Sequence, residues 1–573
     1  MRRLLLLIAA ALLLTPLPAQ APHWRPWSPA AFAEAKRTGK PVLVDAVATW
    51  CHWCHVMDAK TYSDPEVAAL LESRFIPVRV DIDQHPDAAE LYADIGWPGT
   101  AIYAPDGHPL DRERGFIEPG DFKALLHRAL EGKGDLEATQ EAPAALAPDP
   151  LAASVKALDS HFDAAYGGWG RQKYPIAMNI EEALDRAWRG DEGARFRALY
   201  TLAQQRRITD PVWGGLFQYS AGPDWHEPHF ERLTTLQAGY LMNLAEAYRA
   251  TGDGDFLDDA KEDLRFLRRF MEHGDGGFSA TMDADAHGMD GHLYQALEDA
   301  GRMKAGLPRI DTRRYASVQG VMIAALADLG GIMKDSQLLE EAQAAAAWTE
   351  AHLKAEGGYR HAEGQDGFFL ADQGAMLQGL IALHEATGDE LYLDRAIALA
   401  GVMESRLHDA SGLYRAHAAE PGAIGAFAET RLPFDDNARF ARSLLRLAAI
   451  TGEARFHDRA AAVLKALSGQ GRLDDQGRWL GDYILAMRAL DGMGHLAIVG
   501  DPAETGPLFR AAKAAWLPEM VVLLVDPTRP ARNPDLSFPA LHGPAAFLCG
   551  RGACSAPFTD AETLAGDLRK ASR

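Results

Sequence analysis

Two cysteines near the start of the chain have the residue types and spacing of redox chemistry. Cys51 and Cys54 stand in the string Trp-Cys-His-Trp-Cys-His, directly after an apolar run at 41–48. The run predicts a buried strand, and we expect a helix to begin at the first cysteine. Backbone N–H groups and the helix dipole stabilise a thiolate at that position. The spacing therefore predicts that Cys51 is the exposed nucleophile and that the more buried Cys54 attacks the mixed disulfide.

Two further residues fit this chemistry. Asp45 lies on the predicted strand, six residues before the first cysteine, where a buried carboxylate can accept a proton from the resolving thiol. Pro98 follows a Gly-Trp pair, and a cis bond at this proline exposes backbone for docking of a substrate peptide. The predicted catalytic residues are therefore Cys51, Cys54, Asp45 and Pro98.

The cysteine string has three other interpretations. Cys-x-x-Cys-His is also the attachment motif for covalent haem, but haem needs a surrounding pocket and a second axial ligand. The two cysteines and a histidine can contribute to a zinc site, although a structural zinc site needs four ligands. The strand, the cysteine pair, Asp45 and Pro98 together resemble the thioredoxin superfamily, which implies neither a cofactor nor a metal. Inert cysteines in a degenerate fold of that type are the third alternative.

Composition argues against several classes of partner. The 573 residues include 58 basic and 80 acidic side chains, which gives a formal net charge of −22. This balance argues against nucleic acid and anionic membranes, since both attract basic patches. Hydrophobic residues make up 47% of the chain, which is typical of a globular protein with a large core. The sequence contains no Gly-rich phosphate-binding string, so nucleotide binding has no support.

The beginning of the chain has the pattern of a targeting signal. Two arginines precede the apolar run 4–14, and small residues follow at Ala19 and Ala21. A run of this length is too short to span a bilayer comfortably and is typical of a secretory signal peptide. We expect residues 1–21 to be removed, which predicts a periplasmic or secreted protein with no stable membrane insertion. An uncleaved membrane anchor is the alternative.

The rest of the chain changes pattern three times. Residues 22–134 alternate strand-like and helix-like stretches, which predicts a compact α/β domain. Residues 135–150 are rich in Ala, Pro, Asp and Glu and mark a linker. Residues 151–490 have helical periodicity, and residues 491–573 return to a small α/β segment.

Gly-Gly turns recur through the helical region, at 167–168, 214–215, 276–277 and 357–358. Their spacing indicates roughly six helical hairpins, and stacked repeats of this kind bury a continuous core. Six hairpins close into an (α/α)6 barrel, and an open helical solenoid is the alternative. The predicted fold is therefore multidomain, an α/β domain followed by an all-α barrel and a small C-terminal α/β segment.

Aromatic, histidine and acidic side chains accumulate between the predicted helices. Aromatic rings beside carboxylates suit sugar binding, and glycoside hydrolysis needs two carboxyl groups at a set separation. We expect a site at the end that carries the Gly-Gly turns, and its candidate residues are Trp225, His229, Glu231, Asp283 and Asp285. Capping of helices and loops is the alternative role of these groups. An EF-hand is excluded, because the loop at 283 lacks the glutamate of the twelfth position.

The remaining cysteines form a second close pair. Four residues, two of them glycine, separate Cys549 from Cys554, and they allow a tight turn that brings the sulfurs within bonding distance. In an oxidising compartment a structural disulfide is one interpretation. A second redox pair that exchanges electrons with Cys51 and Cys54 is the other.

Several strings together resemble one family. They are Cys-His-Trp-Cys-His-Val-Met at 51–57, Gly-Trp-Pro at 96–98, the string from Trp225 to Glu231, and Asp-Ala-Asp at 283–285. Over nearly its whole length the chain is similar to the thioredoxin-domain proteins related to spermatogenesis-associated protein 20, of the DUF255 type. The resemblance implies a thioredoxin-like domain joined to a barrel of the six-hairpin glycosidase type, and a C-terminal cysteine pair. Asp45 and Trp50 depart from the family pattern toward ordinary thioredoxin, which favours redox activity.

The sequence thus predicts a secreted or periplasmic thiol–disulfide oxidoreductase that acts on protein thiols and disulfides. Its barrel is expected to bind a carbohydrate-like ligand or a protein partner. The main alternative is a carbohydrate-active enzyme, with a glycosidase- or epimerase-like barrel and a structural thioredoxin domain. A binding protein without catalysis at either site is the third hypothesis.

Overall fold

The computed structural model describes residues 22–134, 146–333, 335–418, 422–429, 431–501, 503–529, 531–550 and 553–571. The chain divides into two compact units: the first comprises 1–138 and 420–429, and the second 139–419 and 430–573. The predicted signal peptide and most of the predicted linker lie outside the described residues. The predicted domain bounds therefore stay predictions.

The first unit alternates strands and helices around one sheet. Its strands are β1 (Arg25–Pro26), β2 (Val42–Val47), β3 (Ile76–Asp81), β4 (Gly99–Tyr103) and β5 (Pro109–Arg114). Its helices are α1 (Pro29–Thr38), α2 (His52–Met57), α3 (Pro65–Arg74), α4 (Pro86–Tyr92) and α5 (Pro119–Leu130). The sheet order is β1-β3-β2-β4-β5. β1 and β2 run parallel to β3, whereas β4 runs antiparallel to both β2 and β5.

Local signals set most boundaries in this unit. The Asp64 carboxylate accepts hydrogen bonds from the N–H groups of Glu66 and Val67, each at 3.0 Å, and so caps α3. Gly39 ends α1 in the left-handed conformation, with a φ of 69°. Strand β5 escapes prediction because four of its six residues are charged.

The barrel helices of the second unit are α6 (Pro150–Ser160), α7 (Ala177–Trp188), α8 (Glu192–Gln205), α9 (Thr234–Thr251), α10 (Asp255–Phe266), α11 (Gly291–Gln295), α12 (Asp299–Ala305), α13 (Ala316–Met333), α14 (Ser336–His352), α15 (Leu370–Thr387), α16 (Glu390–Leu407), α17 (Phe434–Thr451), α18 (Ala454–Leu467), α19 (Gln470–Gln476) and α20 (Gly481–Ala489). Its short strands are β6 (Tyr219–Ser220), β7 (Pro228–His229), β8 (Arg232–Leu233), β9 (Thr281–Met282), β10 (Ile310–Asp311), β11 (Lys354–Ala355) and β12 (Gly358–Tyr359).

Six of these helices close into a ring. Helix α7 contacts α9, and the contacts continue through α13, α15, α17 and α20 back to α7. A second helix covers each inner helix from outside: α8, α10, α14, α16 and α18 cover α7, α9, α13, α15 and α17, and α6 packs on α20. The (α/α)6 barrel is therefore confirmed, and the open solenoid is wrong.

The two kinds of connection in the barrel differ in length and content. Connections that leave an inner helix are short, and three of them turn at Gly252, Gly388 and Gly452, whose φ angles lie between 70° and 73°. Connections that enter an inner helix are long and carry the short strands and the Gly-Gly turns. All Gly-Gly turns therefore lie at the end of the barrel where the inner helices begin.

An amide side chain holds three of these turns, and the related Ser-Gly-Leu turn at 411–413, in place. It belongs to the fourth residue of an inner helix and binds both the N–H and the C=O of the residue after the turn. The pairs are Gln237 with Leu216, Gln319 with Phe278, Gln373 with Tyr359, and Asn437 with Tyr414, and all eight distances lie between 2.7 and 2.9 Å. We call this arrangement the amide clamp.

The chain ends in a small mixed sheet within the second unit. Its elements are β13 (Gly494–Val499), α21 (Gly506–Lys513), β14 (Met520–Val525), β15 (Ala545–Gly550), β16 (Ala553–Cys554) and α22 (Ala561–Ala571). The strand order is β14-β13-β15-β16, with β16 at the edge. The small C-terminal α/β segment is present as the sequence predicts.

One helix of the described chain is long and apolar enough to cross a membrane by length and composition. It is α13, and 67% of its apolar window is buried inside the protein. Its place in the inner ring of the barrel accounts for that composition, because a helix that is apolar on all sides belongs in a protein core or in a membrane.

Candidate functional site

The two N-terminal cysteines lie where a strand meets a helix. Cys51 is the N-cap of α2, and its Sγ accepts a hydrogen bond of 3.1 Å from the N–H of Cys54. The two cysteines form a disulfide, with their Cα atoms 5.3 Å apart. Because Cys51 occupies the helix N-terminus, the helix dipole and the N–H groups of the first turn favour a negative charge on its sulfur.

The exposure of the two cysteines differs from the sequence prediction. Each is only 4% exposed, so the prediction that Cys51 is exposed and Cys54 more buried is wrong. The exposed side chain of the motif is Trp53, at 42%. The spacing of the motif orders the residues along the helix, but it contains no information on how the surrounding residues cover the first sulfur.

Asp45 is fully buried on β2 and is bound by two side chains. Tyr62 donates its hydroxyl at 3.0 Å, and the Nε of Arg79 donates at 2.8 Å. Arg79 also binds the carboxylate of Asp58, through both of its terminal nitrogens. Burial raises the pKa of Asp45 to about 6, although the Arg79 guanidinium opposes that shift. A carboxyl group with this pKa accepts and returns a proton near neutral pH.

Pro98 lies beside the end of β2, the strand that precedes the cysteines. The bond between Trp97 and Pro98 is cis, and β4 begins at the next residue. Gly99 pairs with Ala46 across the sheet, and the same antiparallel register places Pro98 next to the end of β2. The catalytic role that the sequence assigns to Pro98 stays a prediction.

Four of the five barrel candidates come together. Strand β8 pairs antiparallel with β9, so the segments 229–231 and 283–285 run side by side just beyond these strands. The His229 Nδ1 lies 4.0 Å from a carboxylate oxygen of Glu231. Both segments belong to connections that enter inner helices, which places them at the end of the barrel with the Gly-Gly turns. Their binding role stays a prediction.

The two aspartates of this group also organise their own loop. Asp283 accepts the N–H of Asp285 at 3.0 Å, and Asp285 accepts the N–H of Gly291 at 2.8 Å. Asp283 and Asp285 therefore also satisfy backbone groups of their own loop, which is the alternative role that the sequence left open for them.

Trp225, the fifth candidate, does not line an open site. Its side chain is 0% exposed, and its indole N–H donates to the carbonyl of Tyr166 at 2.9 Å. A Cβ added to Gly168 would lie only 2.8 Å from the ring, so the Gly-Gly turn packs directly on it. The prediction of a binding role is corrected here to a role in the core, because both the ring and its N–H are already used inside the protein.

Sequence reasoning missed an aromatic row beside the grouped residues. The rings of Tyr219 and His229 stack at 4.2 Å, and Tyr174 stacks on Tyr219 at 4.7 Å. Trp479, which is 38% exposed, lies 6.5 Å from Tyr174. These residues come from three separate connections that enter inner helices, so no single stretch of sequence contains their pattern.

An acidic group also lies at the start of α17. Arg439 binds Asp482 at 2.7 Å and Asp436 at 3.1 Å. Burial raises the pKa of the neighbouring Asp435 to about 7, against the opposing charge of Arg439. These carboxyl groups lie in the first turns of α17 and α20, which begin at the same end of the barrel as the aromatic row.

The second cysteine pair forms a disulfide at the edge of the C-terminal sheet. Cys549 on β15 and Cys554 on β16 are directly opposite in the antiparallel register, with their Cα atoms 4.0 Å apart. Cys549 is 4% exposed, whereas Cys554 is exposed.

Comparison with known proteins agrees with this geometry. Residues 10–118 match the family model Thioredox_DsbH, described as "Protein of unknown function, DUF255". A stretch of 106 residues, 18% of the chain, is 38% identical to the thiol:disulfide interchange protein DsbD 1 of Pseudomonas aeruginosa and covers 18% of that protein. The N-terminal domain is thioredoxin-like, of the DsbD type. It contains the Cys51–Cys54 pair.

The resemblance to the spermatogenesis-associated protein 20 family is also confirmed. The human protein of that name is 23% identical over 94% of this chain and 88% of its own length. Cellobiose 2-epimerase from Spirochaeta thermophila covers 60% of this chain and 96% of its own, with 13% identity and a TM-score of 0.46. The chain joins a DsbD-type thioredoxin domain to an (α/α)6 barrel, which the closed ring of helices shows by itself.

Proposed function

We propose that this protein is a thiol–disulfide oxidoreductase of the periplasm or the secreted fraction, with Cys51 as nucleophile and Cys54 as resolving thiol. The observation that carries this proposal is the position of Cys51 at the N-terminus of α2, with the N–H of Cys54 on its sulfur. The apolar run at 4–14 supports export, and export supplies a compartment where such a pair cycles.

The reaction needs two exchanges. The Cys51 thiolate attacks a substrate disulfide, which releases one substrate thiolate and leaves a mixed disulfide. The Cys54 thiolate then attacks Cys51 Sγ, and the electron pair of the broken bond leaves on the second substrate sulfur. Two electrons have passed to the substrate, and the cysteine pair is a disulfide. The reverse sequence oxidises a substrate dithiol.

Asp45 serves the second exchange. Cys54 must lose its proton before it attacks, and a buried carboxylate with a raised pKa takes that proton at neutral pH. Arg79 keeps Asp45 partly ionised despite its burial, and it links the buried carboxylate to Asp58, whose side chain is 46% exposed. Because both sulfurs are covered, reaction with a protein substrate requires the covering residues to move aside.

Trapping variants of the full chain test this proposal. The Cys54→Ser variant is expected to hold a substrate as a stable mixed disulfide on Cys51, detected on non-reducing gels and by mass spectrometry of exported proteins. The Cys51→Ser variant, the matched control, is expected to trap nothing and to reduce insulin disulfides no faster than buffer. Equal trapping or equal activity in the two variants contradicts the assignment of Cys51 as nucleophile.

The barrel is proposed to bind a carbohydrate-like ligand through the aromatic row. Flat rings that stack in sequence toward a buried carboxylate are suited to the apolar faces and hydroxyl groups of sugars. Tyr219 stacks on both Tyr174 and His229 and so holds these two rings in a row, and Glu231, 3% exposed, provides the carboxylate. Asp435, with a pKa of about 7, retains a proton near neutrality and so can donate one. A protein partner on this surface is the alternative.

Calorimetric titration of the full chain with a panel of neutral mono- and disaccharides tests the barrel. A sugar that binds the native chain is expected to bind the Tyr219→Leu variant about tenfold more weakly, because the ring that holds Tyr174 and His229 in the row is lost. Tyr200→Leu is the matched control, since the Tyr200 hydroxyl bonds a loop carbonyl outside the row. Absence of binding across the panel, or equal loss in both variants, contradicts the carbohydrate proposal and favours the protein partner.

A further inference from the structure

The C-terminal disulfide lies in a row of three residues that crosses three neighbouring strands. His495 on β13 pairs with Cys549 on β15, and Cys549 pairs with Cys554 on the edge strand β16. Residues directly opposite in antiparallel strands point to the same face, with Cβ atoms about 5 Å apart. The imidazole and the two sulfurs therefore share one face of the sheet.

The two ends of this disulfide differ in access. Cys549 packs with Ala497, Val499 and Phe547 in the core on this face and is 4% exposed. Cys554 is exposed on the last strand of the sheet. Exchange requires a thiolate to reach one sulfur along the axis of the bond, so the exposed sulfur is the one open to attack. The buried sulfur is then the leaving group.

His495 stands beside the leaving group. Its Nε2 lies 2.7 Å from the carbonyl oxygen of Ala449, so this nitrogen carries the donated proton. An imidazole that already donates through Nε2 can donate a second hydrogen bond only through Nδ1. A half-buried cationic ring next to a newly formed thiolate stabilises it by charge and by hydrogen bonding.

We propose that Cys549–Cys554 is a second redox-active disulfide, attacked at Cys554 by a dithiol donor, with His495 stabilising the Cys549 thiolate that leaves. This site goes beyond the proposed function and does not depend on Cys51 or Cys54. A donor thiolate bonds to Cys554 Sγ, and the Cys549–Cys554 bond breaks with its electron pair on Cys549. The second donor thiolate then attacks the donor sulfur and releases Cys554. The donor becomes a disulfide, and two electrons reside on the pair.

Partial reduction with glutathione tests which sulfur is attacked. The probe is reduced glutathione, applied to the full chain with Cys51→Ser and Cys54→Ser so that only this pair exchanges. After alkylation of free thiols, peptide mass spectrometry is expected to find glutathione on Cys554 and the alkyl group on Cys549. Circular dichroism monitors the fold throughout. A pair that stays oxidised until the protein unfolds is structural and overturns the proposal, as does glutathione mainly on Cys549.

Substitution of the histidine tests its role. His495→Gln retains a donor for the Ala449 carbonyl but removes the ring that can become cationic. The equilibrium constant for reduction of the pair by glutathione is expected to fall about tenfold, the effect of losing one hydrogen bond to a charged group. His457→Gln is the matched control, because His457 also bonds a backbone carbonyl through Nε2, at 3.1 Å from Leu490. Equal constants in native chain and His495→Gln overturn the role of His495.

Discussion

Buried polar side chains serve opposite purposes in the two units. In the thioredoxin-like domain, Asp45 is an ionisable group held out of water, and its raised pKa means that its charged form is disfavoured by the fold. In the barrel, the amide clamps bury neutral side chains whose hydrogen bonds are made to backbone groups. A buried ionised carboxylate reduces stability but can exchange protons, whereas a buried amide that makes all its hydrogen bonds holds a loop in place. Stability is therefore expected to respond with opposite sign when the two kinds of group are removed.

The largest effect is expected from breaking an amide clamp. Gln373→Leu removes both hydrogen bonds to Tyr359, whose N–H and C=O then remain buried without partners, since both residues are at most 1% exposed. Two unsatisfied backbone groups cost roughly 3 kcal/mol of local stability together. Hydrogen–deuterium exchange of the native full chain and the variant measures this loss in peptides that cover 354–369.

A substitution on the same helix provides the control. Gln378→Leu makes the same chemical change on α15, but the Gln378 amide has only a long contact of 4.0 Å with the sulfur of Met242. Its effect on exchange is expected to be small. If both variants lower protection equally, helix α15 responds to any loss of an amide, and the clamp is not what holds the turn.

The same contrast explains what could be predicted from the sequence. The redox site is contiguous: strand, cysteines and helix follow one another at 41–57, so residue types and local capping rules identify them. The barrel clamps join residues 14, 21, 23 and 41 positions apart, as Gln373 with Tyr359 and Gln319 with Phe278 illustrate. Because the number of residues between the partners varies, the sequence does not reveal that the same amide–backbone contact repeats, although the Gly-Gly turns can be recognised in it.

Burial is the property that could be predicted least well from the sequence. Trp225 has the composition of a sugar-binding residue, but the Gly-Gly turn at 167–168 closes over it, and that contact joins two different connections. The partners of Asp45 illustrate the same limit. Arg79 lies on the neighbouring parallel strand, directly opposite in register, so its pairing with Asp45 depends on strand order rather than on any local motif.

A smaller effect, of opposite sign, is expected when the charge is removed from the redox domain. Asp45 has a folded pKa of about 6 against an ordinary value of 3.8, so the folded state holds its proton more tightly than the unfolded state does. The contribution to stability is full below about pH 4 and is lost as the pH rises through 6. Asp45→Asn is therefore expected to stabilise β2 and β3 by about 2 kcal/mol at pH 7 and by little at pH 4, as measured by hydrogen exchange.

The Asp45→Asn variant is also expected to slow the attack of Cys54 on the mixed disulfide. Without a proton acceptor for Cys54, release of the mixed disulfide at pH 7 should fall by about 10²-fold, and the rise in rate near pH 6 should disappear. Asp58→Asn is the control, since it removes the other carboxylate on Arg79 but leaves the buried acid in place. It should retain an inflection, moved somewhat below pH 6 because the Asp58 charge helps to raise the pKa of Asp45. If Asp45→Asn is less stable than the native chain at pH 7, the ion pair with Arg79 stabilises the fold by more than the burial of Asp45 destabilises it. Asp45 then stabilises its own domain, as the amide clamps stabilise the barrel.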